Sequence, residues 1–169
     1  IVISGPIAAG STTTAKTLSE KLNLEYHSAG DFFRKYVIEH NIPLYAKNQI
    51  PDEIDRKVDK ELTELAQKGG VVIEADYIGY FTRNMPHVLR VLLTCDEKVR
   101  IKRALARKHT HTETEEEIKL REKGLNAKFR KLYADENFLD PKFFELVIDT
   151  TNTPPEGVVE IIKKRFLEE

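Results

Sequence analysis

The sequence predicts an α/β fold in which a mostly parallel β-sheet is covered by helices on both faces. Short apolar runs of strand length alternate along the chain with longer segments of helical periodicity. The apolar runs are rich in β-branched residues and leucine, which is typical of strands buried on both faces. With 169 residues, 40% of them hydrophobic and 33% charged, the chain has the length and composition of one compact globular domain.

The first half of the chain is predicted to contain two strand–helix units and then a long amphipathic helix. Residues 1–4 form an apolar run that predicts a buried strand, and residues 12–22 show the helical periodicity that predicts the next element. A shorter strand, a second helix and a loop are predicted to follow over 24–28, 30–40 and 41–50. The clearest helix is predicted over 51–69, where Gly69 ends a stripe formed by Ile54, Val58, Leu62 and Leu65.

The second half repeats the alternation of strands and helices. Strands are predicted over 71–75, 88–95 and 144–150, and helices over 96–108 and 154–169. A polar break over 109–117 precedes a helix that extends to about Tyr133. Thr112 and Glu115 have the spacing of a capping box at its start. The run of Glu115, Glu116 and Glu117 is interpreted as an acidic first turn of this helix, not as a metal cluster.

Charge and cysteine content exclude several functional classes. The formal net charge of −1 provides no global basic field, so we expect no nucleic-acid binding, and any phosphate binding must be local. The single cysteine, Cys95, lies in an apolar run, which excludes a disulfide framework and favours a buried thiol. No apolar run approaches membrane-spanning length and no secretory signal is visible. We therefore expect a cytoplasmic monomer without a membrane partner.

Residues 5–12 resemble the phosphate-binding motif G-x-x-x-x-G-K-[ST], with one departure. Gly5 and Gly10 have the required spacing and Thr12 occupies the Ser/Thr position, but Ser11 stands where the motif has lysine. Glycines let several backbone N–H groups point at one anion, and the helix that follows contributes its dipole. These features need no lysine, so the motif predicts nucleotide binding better than catalysis. A tight strand-to-helix turn without a ligand is the alternative.

A longer resemblance supports the interpretation of this loop. The segment "ISGPIAAGSTTTAKTLSEKLNLEYHSAGDFFR" is similar to the opening of the short archaeal-type cytidylate kinases, which are P-loop nucleoside monophosphate kinases. The similarity continues through "DEIDRKVDKEL", "VVIEADYIGY", "CDEKVRIKRALARK", "LREKGLNAKFRKLY" and "FELVIDTT", and thus covers nearly the whole chain in the family's order. The segment "SAGDFFR" and its distance from the loop are the most specific part.

The resemblance implies both a fold and a reaction. The fold is that of the P-loop nucleoside-triphosphate hydrolases, with a five-stranded parallel sheet in the order 2-3-1-4-5 and helices on both faces. The whole chain, 1–169, forms one kinase-like domain, with an acceptor-binding region at about 28–69 and a short lid at about 107–128. The implied reaction converts ATP and (d)CMP to ADP and (d)CDP, with Mg²⁺.

The resemblance also implies roles for individual residues. The residues expected to bind ATP are Gly5, Ala8, Ala9, Gly10, Ser11, Thr12, Thr13 and Arg100. The residues expected to bind the acceptor are Ser28, Asp31, Arg34, Asp55 and Asp76, with Asp59 on the same helical face as Asp55. Thr12 and Glu74 are expected to hold the metal, and the catalytic cations are expected to be Arg103, Arg107, Arg121 and Lys128.

Simpler interpretations compete with several of these roles. Asp31 could be a helix cap or a partner of Arg34, and Asp55 and Asp59 could belong to a solvated helix face. The basic residues of both later helices could likewise form a charged solvent face. His109 and His111 form an H-x-H pair, for which a solvated loop is favoured over a metal site.

Three departures from the family lie at phosphate-contacting positions. Ser11 replaces the loop lysine, Asp76 replaces an arginine in the family's E-G-R, and Lys128 replaces an arginine of the lid. The first two changes make the predicted site about three charge units less positive than the family pattern, and like-charge contact in a desolvated site is costly.

Three hypotheses account for this loss of charge. In the first, the protein is a degenerate kinase that binds nucleotide and does little chemistry. In the second, another lysine, for instance Lys16, Lys47 or Lys108, replaces the one that is missing. In the third, the acceptor is a hydroxyl compound and Asp76 is its general base, although the retained Arg34 argues against a neutral acceptor.

Overall fold

The computed structural model describes residues 1–168, and its elements alternate between strand and helix as predicted. The strands are β1 (Val2–Ser4), β2 (Glu25–Ser28), β3 (Val71–Glu74), β4 (Arg90–Thr94) and β5 (Leu146–Asp149). The helices are α1 (Ser11–Leu22), α2 (Ala29–Glu39), α3 (Asp52–Lys68), α4 (Ile78–Phe81), α5 (Glu97–Leu105), α6 (Glu115–Leu132) and α7 (Pro155–Leu167). Two short 3₁₀ helices, η1 (Lys47–Gln49) and η2 (Pro141–Phe143), lie in the connections.

The five strands form one parallel sheet. Its order is β2-β3-β1-β4-β5, which confirms both the predicted fold class and the predicted strand order. Because all the strands are parallel, their carboxyl ends meet at the same edge of the sheet. The register pairs Ser28 with Glu74 at the end of β2 and β3, and Thr94 with Asp149 at the end of β4 and β5. This edge is therefore where side chains from distant parts of the sequence come together.

The core is divided between the two faces of the sheet. On one face α1 and α7 pack over β1 and β4, where Ile3, Leu18 and Leu93 are fully buried. On the other face α3 and the following α4 pack over β3, where Ile73 and Ile78 are buried. Burial on both faces is the reason that the three inner strands, β1, β3 and β4, lie in continuous apolar runs. Cys95 is partly buried beside the first of these clusters, as a free thiol.

The start of α6 differs from the sequence prediction. The capping box is formed by Thr114 and Glu117, two residues later than the predicted pair of Thr112 and Glu115. Both pairs have the same spacing, so the sequence alone could not choose between them. In the fold, Glu113 turns inward toward Arg121 at 3.4 Å, and the helix therefore begins after it. The run of three glutamates at positions 115–117 forms the acidic first turn, as predicted.

Three short elements were not predicted. They are η1 in the loop predicted over 41–50, α4 after β3, and η2 before β5. Each has only three or four residues and lacks a full period of apolar spacing, so it leaves no periodic signal in the sequence. Within residues 1–168, no helix combines the length and the apolar character that crossing a bilayer would require.

Candidate active site

A cleft opens at the carboxyl edge of the sheet, between the loop after β1, the segment after β3, and the helices α2 and α6. Its lining combines residues from all parts of the chain, because parallel strands bring their following loops to one edge. The polar side chains that line it are Ser11, Thr12, Arg34, Lys47, Glu74, Asp76, Arg107, His109 and Arg121. Its apolar lining includes Phe33, Val37, Leu44, Ile50 and Leu125.

The loop between β1 and α1 has the conformation that anion binding requires. Gly10, the N-cap of α1, has a φ of 97°, in the left-handed region that glycine adopts readily, and it is exposed. A Cβ at Gly5 would lie 2.8 Å from the carbonyl oxygen of Leu93, so only glycine lets the loop pack on β4. No side chain caps the start of α1, and the amides of its first turn lack intrahelical partners.

The loop is held in place by two hydrogen bonds to its carbonyl groups. Arg100 Nη1 donates to the carbonyl oxygen of Ile7 at 3.0 Å, and Thr150 Oγ1 donates to that of Ala9 at 2.8 Å. Both bonds use carbonyl groups and therefore occupy no loop amide, while the N–H of Ala9 donates within the loop to the carbonyl oxygen of Pro6 at 3.1 Å. The cleft is lined by Gly5, Ala8, Ser11 and Thr12. Ala9, in the same loop, is fully buried, and Thr13 lies on the exposed side of α1.

Thr12 and Glu74 provide the oxygen donors that a magnesium ion prefers. Ser28 Oγ donates to Glu74 Oε2 at 2.8 Å, which orients the carboxylate at the end of β3. Burial raises the pKa of Glu74, while hydrogen bonds from Ser28 and Thr12 favour its charged form. Mg²⁺ in phosphoryl-transfer sites is held by one or two protein oxygens together with phosphates and water. Thr12 and Glu74 fit that requirement, and residues 1–168 contain no cluster of three or more His, Cys, Asp or Glu that could hold a metal by themselves.

Three arginines surround the cleft from the side of α2 and α6. Arg34 comes from α2, Arg107 from the segment after α5, and Arg121 from α6. Burial lowers the pKa of the Arg107 guanidinium, and the positive charge of Arg121 lowers it further. Three cations that repel one another in a desolvated cleft favour a ligand with several negative charges.

Arg34 is oriented from its own helix. Its Nη2 lies 2.5 Å from Asp31 Oδ1, and Ser28 caps α2 by accepting from the N–H of Asp31 at 3.1 Å. Ser28 and Asp31 are therefore partners of Glu74 and Arg34 and do not themselves line the cleft. Of the interpretations open for Asp31, the geometry favours the one in which it holds Arg34.

Asp55 and Asp59 have neither of the surroundings expected from the sequence. Asp55 is fully buried, with 0% exposure, and Asp59 is buried as well, so they do not belong to a solvated helix face. They do not line the cleft either. Asp55 is paired with Lys47 and Lys128, and Asp59 Oδ2 accepts from the Tyr133 hydroxyl at 2.5 Å. Direct contact between Asp55 and an acceptor, as first predicted, is not supported by this position.

The four predicted catalytic cations divide into two groups. Arg107 and Arg121 line the cleft, whereas Lys128 and Arg103 do not. Lys128 Nζ is buried beside Asp52 Oδ1 at 2.8 Å and donates to the carbonyl oxygen of Ile50 at 2.5 Å, so it ties α6 to α3.

Arg103 and Arg100 also have structural partners. Arg103 Nη2 donates to the carbonyl oxygen of Thr150 at 2.9 Å at the end of β5. Arg100, predicted to bind ATP, is buried and paired with Glu122 at 2.6 Å behind the phosphate loop. The structure gives Arg100 a supporting position and provides no support for a phosphate contact by Arg103 or Lys128. Lys128 faces α3 and Arg103 faces the end of β5, and neither side chain lines the cleft.

Asp76 places a negative charge in the cleft. Burial, together with the nearby carboxylate of Glu74, raises its pKa to about 6. The positive charges of Lys47, Arg121 and Arg34 act in the opposite direction. This carboxyl group therefore titrates close to neutral pH and is surrounded by the same cations that would bind a phosphate.

The two histidines of the H-x-H segment have different surroundings. His109 lines the cleft, and burial lowers its pKa to about 4, helped by the charge of Arg107. His111 Nε2 lies 3.0 Å from Glu117 Oε2 at the start of α6. The pair therefore shares no metal-like arrangement, in agreement with the absence of a metal cluster in residues 1–168.

The fold also decides the position of two residues outside the predicted site set. One is Lys47, which the sequence analysis considered as a replacement for the missing lysine, and the other is Glu113, which it did not consider. Lys47 lines the cleft from η1, whereas the other two lysines considered, Lys16 and Lys108, are exposed and lie outside its lining. Glu113 is buried at 3% exposure, and its carboxylate faces Arg121. The sequence did not single out Glu113, because it lies beside the run of Glu115, Glu116 and Glu117 and no local pattern marks it as the carboxylate that faces Arg121.

Comparison with known proteins supports the resemblance found in the sequence. The AAA domain family matches residues 1–123 of the chain. A cytidylate kinase of Ignicoccus hospitalis is 38% identical, with 99% of this chain and 98% of the relative aligned. A cytidylate kinase of Sulfolobus acidocaldarius is 35% identical, with 96% of this chain and 91% of the relative aligned.

Solved structures resemble this chain in fold. A shikimate kinase from Acinetobacter baumannii, in complex with shikimate, superposes with a TM-score of 0.66 at 16% identity, and the superposition covers 99% of this chain and 92% of the kinase chain. A shikimate kinase from Aquifex aeolicus superposes with a TM-score of 0.56 at 19% identity, and the superposition covers 99% of this chain and 95% of the kinase chain. At such identities the likeness concerns the fold alone.

Proposed function

The chain belongs to the cytidylate kinase family of P-loop kinases, and from this premise we propose that it transfers the γ-phosphoryl group of ATP to CMP or dCMP. The observation that carries the proposal is the convergence of the phosphate loop, Glu74 and three arginines on one cleft. That arrangement suits two phosphorylated substrates, since each cation faces a space that a phosphate would occupy. We assign the acceptor region to about 28–69 and the lid to about 107–128.

In this mechanism the protein positions phosphates and compensates their charge. The loop amides from Gly10 onward bind the phosphates of ATP, and Arg34 forms a fork that binds the acceptor's phosphate. An oxygen of that phosphate attacks the γ-phosphorus, and the bond from the γ-phosphorus to the bridging oxygen of ADP breaks. Arg107 and Arg121 stabilise the charge on the transferring group. Thr12 and Glu74 would hold Mg²⁺, which neutralises phosphate charge when bound.

Ser11 favours a second candidate, in which the protein binds nucleotides without appreciable turnover. A hydroxymethyl side chain is too short to follow the γ-phosphate and carries no charge. Loss of one preorganised donor typically costs on the order of 10²–10³ in rate. A third candidate, phosphorylation of a hydroxyl compound with Asp76 as base, is favoured by the position of this carboxyl group in the cleft.

Turnover distinguishes these candidates. We expect ADP release in a coupled assay to be fastest with CMP or dCMP, slower with UMP and AMP, and below the ~1–100 s⁻¹ typical of kinases. Nucleotide-induced shifts of the melting temperature, measured on the same samples, report binding alone. Thermal shifts without ADP release would support the non-catalytic candidate. Turnover at an ordinary kinase rate would contradict the argument from the missing lysine.

Asp76 is expected to make acceptor binding depend on pH. Because its pKa is about 6, the carboxyl is neutral below that pH and negatively charged above it. The charged form repels the acceptor's phosphate, so the affinity of the wild type for CMP relative to Asp76→Asn should fall by about tenfold from about pH 5 to about pH 8. The titration of free CMP is common to both proteins, and the increase in its phosphate charge over this range acts in the same direction, because it strengthens the repulsion by the charged carboxylate. A ratio that stays constant over this range would show that Asp76 does not face the bound phosphate.

A further inference from the structure

We infer that Lys47 is a phosphate-binding residue of the acceptor half of the cleft and that Asp55 is its partner before the acceptor binds. This inference rests on the proposed function and names a residue that binds the acceptor. Lys47 begins η1, and its side chain is 8% exposed, yet it lines the cleft. Within residues 1–168 it is the single lysine to do so. A buried lysine that retains access to a cleft rich in arginines is placed to meet an anion there.

The position of Lys47 assigns it to the acceptor half of the site. Its Nζ lies 3.4 Å from the centroid of the Phe33 ring, and Phe33 is the residue that precedes Arg34 on α2. The carbonyl of Ile50, at the end of η1, is tied to α6 through Lys128. Lys47 therefore lies against α2, the helix that carries Arg34, and reaches the cleft from η1, not from the phosphate loop that follows β1.

The ion pairs behind Lys47 allow it to turn toward a ligand. Asp55 Oδ1 lies 2.5 Å from Lys47 Nζ, and Asp55 Oδ2 lies 3.1 Å from Lys128 Nζ. Lys128 is also paired with Asp52 and donates to a backbone carbonyl, so its position is fixed. If Lys47 moves from Asp55 to a phosphate, Asp55 keeps the charge of Lys128. The carboxylate is therefore not left buried without a cation, which is the usual obstacle to breaking a buried pair.

Lys47 also compensates for the unusual acid in the cleft. Burial lowers the pKa of Lys47, while the negative charges of Asp55 and Asp76 act in the opposite direction and favour its ammonium form. In return, Lys47 is the first of the cations that favour the charged form of Asp76. A phosphate that approaches Arg34 meets the negative charge of Asp76, and the ammonium group of Lys47 offsets it. Lys47 thus supplies a positive charge to the acceptor phosphate. The hypothesis of a replacement lysine expected such a charge at the phosphate loop, whereas Lys47 provides it from η1.

The test measures binding of each substrate separately by calorimetry. We expect Lys47→Met to weaken CMP binding by about 10- to 100-fold and to change ATP binding less than about twofold. Lys47→Arg should retain most of the affinity. Asp76→Asn should restore part of the loss in the double variant with Lys47→Met, which a role confined to packing would not do. The matched control is Lys16→Met, at an exposed lysine outside the cleft, and it should bind both substrates like the wild type.

Two further measurements keep the inference separable from folding and from the proposed function. If Lys47→Met does not fold, the double variant with Asp55→Asn, which removes both charges of the Lys47–Asp55 ion pair, is measured in the same way. If the wild type binds no nucleoside monophosphate, the proposed function fails. Pyrophosphate, followed by its effect on the melting temperature, then becomes the anionic probe, and its effect should be weaker in Lys47→Met than in Lys16→Met. Equal losses for CMP and ATP, no loss, or an unchanged pyrophosphate effect would overturn the inference.

Discussion

Replacement of Arg34 by alanine is expected to weaken CMP binding by roughly 30- to 1,000-fold and to leave ATP binding within a few-fold of the wild type. The estimate corresponds to about 2–4 kcal/mol for truncating one partner of a desolvated charge pair. Arg34 lines the cleft, its side chain is 25% exposed, and Asp31 holds its guanidinium from within the same helix. A planar fork that is already oriented loses little entropy when it binds two phosphate oxygens.

The expected difference between CMP and ATP requires that Arg34 contacts the phosphate of CMP and no part of ATP. Calorimetric titration of CMP and ATP into separate samples gives the two affinities directly. Arg83→Ala is a matched control, since Arg83 is exposed, donates to the carbonyl oxygen of Tyr80 and does not line the cleft. Equal weakening of both ligands would assign Arg34 to a structural role, and an unchanged affinity for CMP would remove it from the site.

Restoring charge at Ser11 and Asp76 together is expected to raise phosphoryl transfer more than the product of the two single changes. Ser11→Lys provides a cation that reaches the γ-phosphate, and about tenfold in kcat is a reasonable gain for one donor in a site where Asp76 is still present. Asp76→Arg removes the opposing charge. Because both positions line the same cleft, their effects should couple.

Steady-state phosphorylation of CMP by the wild type, both single variants and the double variant forms the cycle that measures this coupling. Melting temperatures show whether Asp76→Arg disturbs the cations around it, since Lys47, Arg121 and Arg34 all act on position 76. Independent effects that multiply would show that the two positions do not act on the same transferring group. A slower double variant would show that the site has adapted to its acid.

Much of the architecture follows from local sequence patterns. Strands β1, β3, β4 and β5 lie in short apolar runs, and the stripe of α3 repeats with the period of a helix, so these elements were predictable without tertiary contacts. The phosphate loop was predictable for the same reason, since the spacing of Gly5 and Gly10 specifies a local backbone conformation that the structure retains. The short elements η1, α4 and η2 escaped prediction because a single turn carries no period.

The sequence by itself determined the class of fold, the phosphate loop and the set of charged residues that were candidates for the site. The tertiary structure decided which of these charged side chains share the cleft. Arg107 and Arg121 reach it, but Lys128, which lies about two turns further along the same helix as Arg121, faces Asp52 and Asp55. Lys47, from a segment predicted as a plain loop, reaches the cleft because η1 packs between α2 and α6. The direction of a long side chain depends on which partners the fold brings within a few ångströms. Those partners are distant in sequence, and no local pattern records them.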